Sequence, residues 1–320
     1  MHQSLRQKAC GLVLAGLLLG GCATAPPLSS KVEQLPERVE LSEVPFFPQA
    51  EYQCGPAALA TMLNQRGVTT TPGLLKDRVF LPGRDGSLQV ELVAAARDHD
   101  LLVYPLAPKL EVLLAEVAAG NPVLVLQNLA FDWYPRWHFA VLVGYDRKKQ
   151  QLILRSGTTR RWVTDFASFD ATWARGGRWA VLTLPPGRLP AQAELHPWLA
   201  AASDLEQTGH VAAAGRAYKA AVRHWPHEGV AWFALGNARY ASRDFDGAQA
   251  ALKQAVTVEP TLAPGWANLA HVLAEQGCAI PAGQAQQCAR ALDPEESRFR
   301  EALPIATRAG ACTPPPTCPQ

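Results

Sequence analysis

A thiol becomes a nucleophile, and a leaving group regains its proton, when a cysteine works with a histidine. This 320-residue chain holds one such candidate pairing. Cys54 lies in "EYQCGPAALATML", where a polar loop gives way to an apolar helical stretch. A helix N-terminus carries partial positive charge and free N–H groups, and both favour a thiolate. Gly55 permits a tight backbone, and Pro56 in the first turn needs no N–H partner. The same cysteine could instead be a small core residue or half of a disulfide. His138 opens the strand-like run "HFAVLVGY" and is the candidate general base. Its rival in this region, His99, lies in "RDHD" at a charged helix end. Trp133, Tyr134 and Trp137 cluster just before His138, placed either to line a substrate cleft or to cover a sheet edge. No group of His, Cys and carboxylates has metal-ligand spacing, and no phosphate-cradling glycine loop occurs. No metal or cofactor is therefore expected.

The chain length suits two ordinary domains, and 48% apolar residues suffice for cores. A formal net charge of +2, with no dense Lys/Arg run, argues against nucleic acid or an anionic membrane surface as partner.

The N-terminus carries an address. Arg6 and Lys8 precede the apolar run "GLVLAGLLL", which is too short to span a bilayer as a mature helix. Leu19-Gly20-Gly21-Cys22 follows and resembles the lipobox of bacterial lipoproteins. That resemblance implies a signal peptide over 1–22 with Cys22 lipidated. Ala23 after the cysteine implies the outer membrane, facing the periplasm, with the lipid as the only membrane contact. Residues 23–43, with prolines and mixed charges, read as a flexible tether.

Export means an oxidising compartment, so the seven cysteines can be counted as bridge candidates. Cys10 leaves with the signal and Cys22 takes lipid. Proximity in sequence suggests Cys278–Cys288 and Cys312–Cys318, and Cys54 is left over.

A period organises the C-terminal half. Trp198, Trp232 and Trp266 are spaced by 34 residues, as are Pro226, Pro260 and Pro294. The Ala-rich text between them reads as pairs of helices, with Gly236, Ala270, Ala248 and Ala282 small enough for close packing. Residues 198–300 resemble about three tetratricopeptide repeats. The resemblance implies an all-α domain that docks a protein or peptide, or one that merely caps its neighbour. Residues 185–197 form a Pro-rich linker, and 301–320 a Pro/Cys-rich tail.

The elements that must position Cys54 and His138 lie within 44–184. Ala57–Gln65, Leu88–Asp98 and Lys109–Ala119 read as helices; Pro122–Gln127, His138–Tyr145, Gln151–Arg155 and Ala180–Leu184 read as strands. "GYDRKKQQ" reads as a hairpin turn. Helices followed by closely spaced strands predict an α+β domain, a helical lobe on an antiparallel sheet. This is the layout of papain-like folds.

Three stretches, "VPFFPQAEYQCGPAALATML", "GSLQVELVAAARDHDLLV" and "WHFAVLVGYDRKKQQLIL", resemble the bacteriocin-processing, double-glycine-leader peptidases and their wider relatives. The resemblance implies a cysteine peptidase with Cys54 as nucleophile, His138 as base and Gln49 as oxyanion donor, Gln53 being a nearer competitor for that last role. The family's orienting Asp is replaced in "LRSG" by Ser156, a weaker third member because a hydroxyl does not stabilise imidazolium as a carboxylate does. Asp146 lies in the turn, too far along the strand. No export ATPase motif is present, which argues against a double-glycine leader as substrate. Two other functions compete: a Cys/His amidase or acyltransferase of the cell wall, and a catalytically silent peptide-binding scaffold.

Overall fold

The computed structural model describes residues 28–319, apart from 49–52, 82, 84, 85, 307–309 and 311. The sequence-based expectations for Cys22 and Gln49 therefore lie outside the described residues.

The N-terminal half is an α+β domain built on one antiparallel sheet. Its strands are β1 (Arg38–Glu40), β2 (Leu102–Pro105), β3 (Val123–Asn128), β4 (Trp137–Asp146), β5 (Gln151–Ser156), β6 (Thr159–Asp165) and β7 (Ala180–Leu184). They lie in the order β2-β7-β3-β4-β5-β6, with β1 added alongside β4. β4 is long enough to serve two partners in succession. Its first half pairs with β3, His138 opposite Gln127, and its end pairs with β1, Gly144 opposite Glu40. Only glycine fits there, since a Cβ on Gly144 would stand 2.7 Å from the Val39 carbonyl oxygen.

Two apolar layers cover the sheet. α1 (Cys54–Asn64), α2 (Pro72–Val79) and α3 (Gln89–Arg97) pack on one face against Leu124, Phe139, Val141, Val143 and Ile153. α4 (Leu110–Ala118) and α5 (Phe166–Arg175) pack on the other, where Ala140, Leu142 and Leu154 point. The period-two alternation of β4 divides between these layers, as a strand buried on both sides requires.

The C-terminal half is helical: α6 (Leu195–Gln207), α7 (Val211–His224), α8 (Gly229–Ala241), α9 (Phe245–Val258), α10 (Ala263–Glu275) and α11 (Ala279–Leu292). The 34-residue spacing corresponds to a repeated contact. Trp232 Nε1 donates to the Pro226 carbonyl at 2.9 Å, and Trp266 Nε1 to the Pro260 carbonyl at 2.7 Å. Each tryptophan thereby ties its own helix to the proline that ended the preceding unit. The turns within the pairs share the period too: Gly209, Arg243 and Gly277 all have positive φ.

Residues 185–194 are tied down at several points. The fully buried Glu116 of α4 accepts from the N–H groups of Ala191 and Gln192, both at 3.1 Å, and from Asn121 Nδ2 at 2.8 Å. Arg66 reaches this cluster through Asn121 Oδ1, and burial brings its guanidinium down to about 10. Trp198 and Leu205 of α6 belong to the same apolar core as Tyr104, Leu113 and Leu182. The first helical pair thus shares a core with the sheet instead of hanging from a spacer.

The disulfides differ from the expectation. The bridges are Cys278–Cys312 and Cys288–Cys318, with Cα separations of 5.1 and 5.6 Å. Cys278–Cys288 and Cys312–Cys318 are not formed. Cys278 caps α11 and Cys288 lies within it. Ten residues along one helix place them ~15 Å apart at 1.5 Å per residue, beyond the ~7 Å Cα limit for a bridge. Between Cys312 and Cys318, Pro314, Pro315 and Pro316 favour an extended chain. Both tail cysteines therefore reach across to the last helical pair and staple the tail over it.

Candidate active site

The start of α1 is made by Gln53 as N-cap, then Cys54, Gly55 and Pro56. No residue from Gly55 to Leu63 is exposed, so α1 is a core helix whose N-terminal end carries the thiol. Gly55 is required by a close approach: a Cβ there would stand 2.3 Å from Ser87 Oγ. Ser87, which nothing in the sequence singled out, closes over the helix start with its buried hydroxyl lacking a hydrogen-bond partner among the described residues.

Cys54 is a free, half-buried thiol, since the other four cysteines of the described residues are bridged. Burial pushes its pKa up. The backbone N–H groups of Phe139, Gly55 and Cys54 itself pull the other way without overcoming burial. The Phe139 amide belongs to β4 and follows His138 directly, so the sulfur stands beside the strand position next to the candidate base.

His138 is half-buried near the start of β4, and its Nε2 lies 2.8 Å from Ser156 Oγ. Ser156 ends β5 where the β5–β6 register shifts. With Nε2 protonated, the ring donates to that hydroxyl and leaves the Nδ1 lone pair as a base. Burial, reinforced by the Arg136 guanidinium, brings His138 down to about 4. The resting pair is consequently a neutral thiol and a neutral imidazole. Burial thus opposes the thiolate that the helix end alone suggested, and it outweighs the few N–H groups that face the sulfur.

The remaining candidates separate cleanly. Asp146 Oδ1 accepts from Lys149 N–H in the β4–β5 turn, at the far end of β4 from His138. His99 sits in the turn after α3. Trp133, Tyr134 and Trp137 are 82%, 71% and 54% exposed, and Trp137 is the first residue of β4. Their loop is nonetheless closely built. The buried Asn128 accepts from the N–H groups of Ala130 and Arg136 and donates to the Phe131 carbonyl, which folds residues 129–136 back on themselves.

Arg155 and Asn128 were missed from the sequence; an Arg inside a strand pattern and an Asn at a strand end carry no distinctive local signal. Among the described residues no cluster of His, Cys and carboxylates could hold a metal ion, and no helix is long and apolar enough to cross a membrane.

Solved structures that resemble this chain include a C39-like peptidase from Bacillus anthracis, at 21% identity and TM-score 0.40, covering 47% of this chain and 98% of its own. The peptidase domain of Streptococcus ComA, a bi-functional ABC transporter of a quorum-sensing pathway, matches at 18% identity and TM-score 0.37, covering 44% and 99%. A double-glycine-motif protease from an AMS/PCAT transporter, solved with its leader peptide, matches at 24% identity and TM-score 0.34, covering 44% and 90%. No curated protein matches the chain. The segment that carries both Cys54 and His138, residues 41–181, matches the model of the Peptidase_C39 like family.

Proposed function

We propose that the protein is a cell-envelope cysteine peptidase in which Cys54 attacks a peptide carbonyl and His138 moves the proton. The observation that carries this reading is the family match over 41–181, with a free thiol at a helix start beside the strand of a hydrogen-bonded histidine. As Sγ bonds to the carbonyl carbon, the thiol proton passes to His138 Nδ1. The tetrahedral oxyanion is met by the Cys54 N–H and, on the family resemblance, by Gln49. Collapse breaks the C–N bond with His138 returning the proton to the amine, and water then hydrolyses the thioester. The exposed aromatic loop before His138 supplies an apolar surface for the substrate chain. The lipobox-like Leu19–Cys22 supports a lipid anchor at Cys22 and an outer-membrane address. The 34-residue helical pairs support a tetratricopeptide-like array that docks a protein or peptide.

A second reading is favoured by one observation: His138 has a hydroxyl partner and a cation nearby, with no carboxylate bonded to it among the described residues. In that reading the domain binds peptides without cleaving them, and the protein is an assembly scaffold. The deciding experiment compares envelope proteomes of a deletion strain carrying wild type or Cys54→Ala. Restoration of the wild-type pattern by both would overturn the peptidase reading; accumulation of uncleaved proteins with Cys54→Ala alone would support it.

A further inference from the structure

The Leu41–Val44 turn and the end of β5 that holds His138 are fastened together by one buried cation. Arg155 of β5 is 4% exposed and sits immediately before Ser156. Its Nε and Nη2 donate to the Val44 carbonyl at 3.3 and 3.2 Å. Nη2 also lies 3.4 Å from the Leu41 carbonyl and 3.3 Å from that of Ser42, and Nη1 donates to the Arg160 carbonyl at 2.7 Å. All these acceptors are backbone oxygens, so the guanidinium grips the course of the chain itself.

The contacts fall in two places. The Leu41–Val44 turn continues β1, which is laid on β4, and Phe47, a few residues further on, packs on the same core layer as Cys54. The Arg160 carbonyl closes the β5–β6 turn around Ser156, the hydroxyl that holds the imidazole. Only arginine presents five donors in a planar fork able to reach both sides. A buried charge satisfied by neutral carbonyls is costly to keep, and a fastening by apolar packing would avoid that cost.

We propose that Arg155 is a positioning residue of the candidate Cys54/His138 pair, setting the Ser156 end of β5, and with it the His138 ring, against the Leu41–Val44 turn beside the core layer on which Cys54 packs. This rests on the peptidase reading, and its test separates the two. Arg155→Lys keeps the charge and loses the fork, and Arg155→Met keeps only the stem. Each is made in the full chain beside wild type and His138→Ala. Iodoacetamide reaction at Cys54 is followed across pH, the His138 titration is read by NMR, and Tm is measured in parallel.

If Arg155 positions the pair, folded Arg155→Lys reacts on the order of tenfold more slowly at neutral pH, its His138 titration moves, and its rate–pH profile approaches that of His138→Ala. Folded Arg155 variants with a lower Tm but wild-type profiles would overturn the proposal, since a merely structural residue gives that result. Failure of both variants to fold would overturn it too, assigning Arg155 to the fold. If His138→Ala itself leaves the wild-type profile unchanged, the Cys/His reading fails as well, whatever Arg155 does.

Discussion

Nε2 of His138 lies 2.8 Å from Oγ of Ser156, the residue that ends β5. A hydroxyl can orient the ring but adds no negative charge to offset the burial that brings His138 down to about 4. Ser156→Asp should raise the His138 pKa by at least one unit, because a carboxylate favours imidazolium, while Ser156→Ala should leave it low. NMR titration of the ring distinguishes the two; equal values in both variants would remove Ser156 from any role in the site.

The same burial predicts how stability depends on pH. An unfolded histidine titrates near 6.5 and the folded one near 4, so between those values the unfolded chain binds more protons. The contribution of His138 to stability is therefore complete above about pH 6.5 and is lost as pH falls toward 4. His138→Gln should lack this component. The measurement is Tm for both proteins from pH 7 to 4, and parallel curves would show that His138 is not the buried neutral group described.

For Cys54 the expected behaviour is that of a buried thiol. Its pKa is raised, so alkylation by iodoacetamide should be slow and base-assisted near neutral pH and should still be climbing above the ordinary thiol range of about 8.5. His138→Ala should slow the reaction near neutral pH by removing the base. A fast plateau persisting into acid would mean a resting thiolate–imidazolium pair and would contradict this account of the site.

The staples can be checked by non-reducing peptide mapping, which should recover Cys278–Cys312 and Cys288–Cys318. They span 34 and 30 residues, and loops of that size give about 2–4 kcal/mol per bridge. Cys312→Ser with Cys318→Ser should therefore lower Tm clearly in the helical half.

Lipidation is tested at Cys22. Cys22→Ala should abolish acylation and release of the mature form, and intact-mass analysis of an unlipidated N-terminus elsewhere in the wild type would rule the anchor out.

What was legible in the sequence was whatever repeats or alternates locally. The 34-residue period is legible because Trp232 and Trp266 each bond to the Pro that ended the preceding unit, one contact made twice at the same spacing. α1 and β4 are legible because an apolar helix start and a period-two strand write their geometry into neighbouring residues. β6 was not read, since nearly every one of its residues is exposed and its pattern lacks an apolar face. α2 is short and mixed in polarity, and β1 is only three residues long. Neither leaves a periodic trace.

Tertiary structure alone decided the chemistry. Cys278 and Cys288 are close in sequence, yet one helix holds them apart, so the bridges went to the tail. The charge states of Cys54 and His138 follow from how much water the surrounding layers exclude, a sum over distant elements that no local spacing encodes. The grip of Arg155 on Leu41, Ser42 and Val44 joins residues more than a hundred positions apart. An arginine in a strand pattern looks like a solvated edge until the chain folds over it.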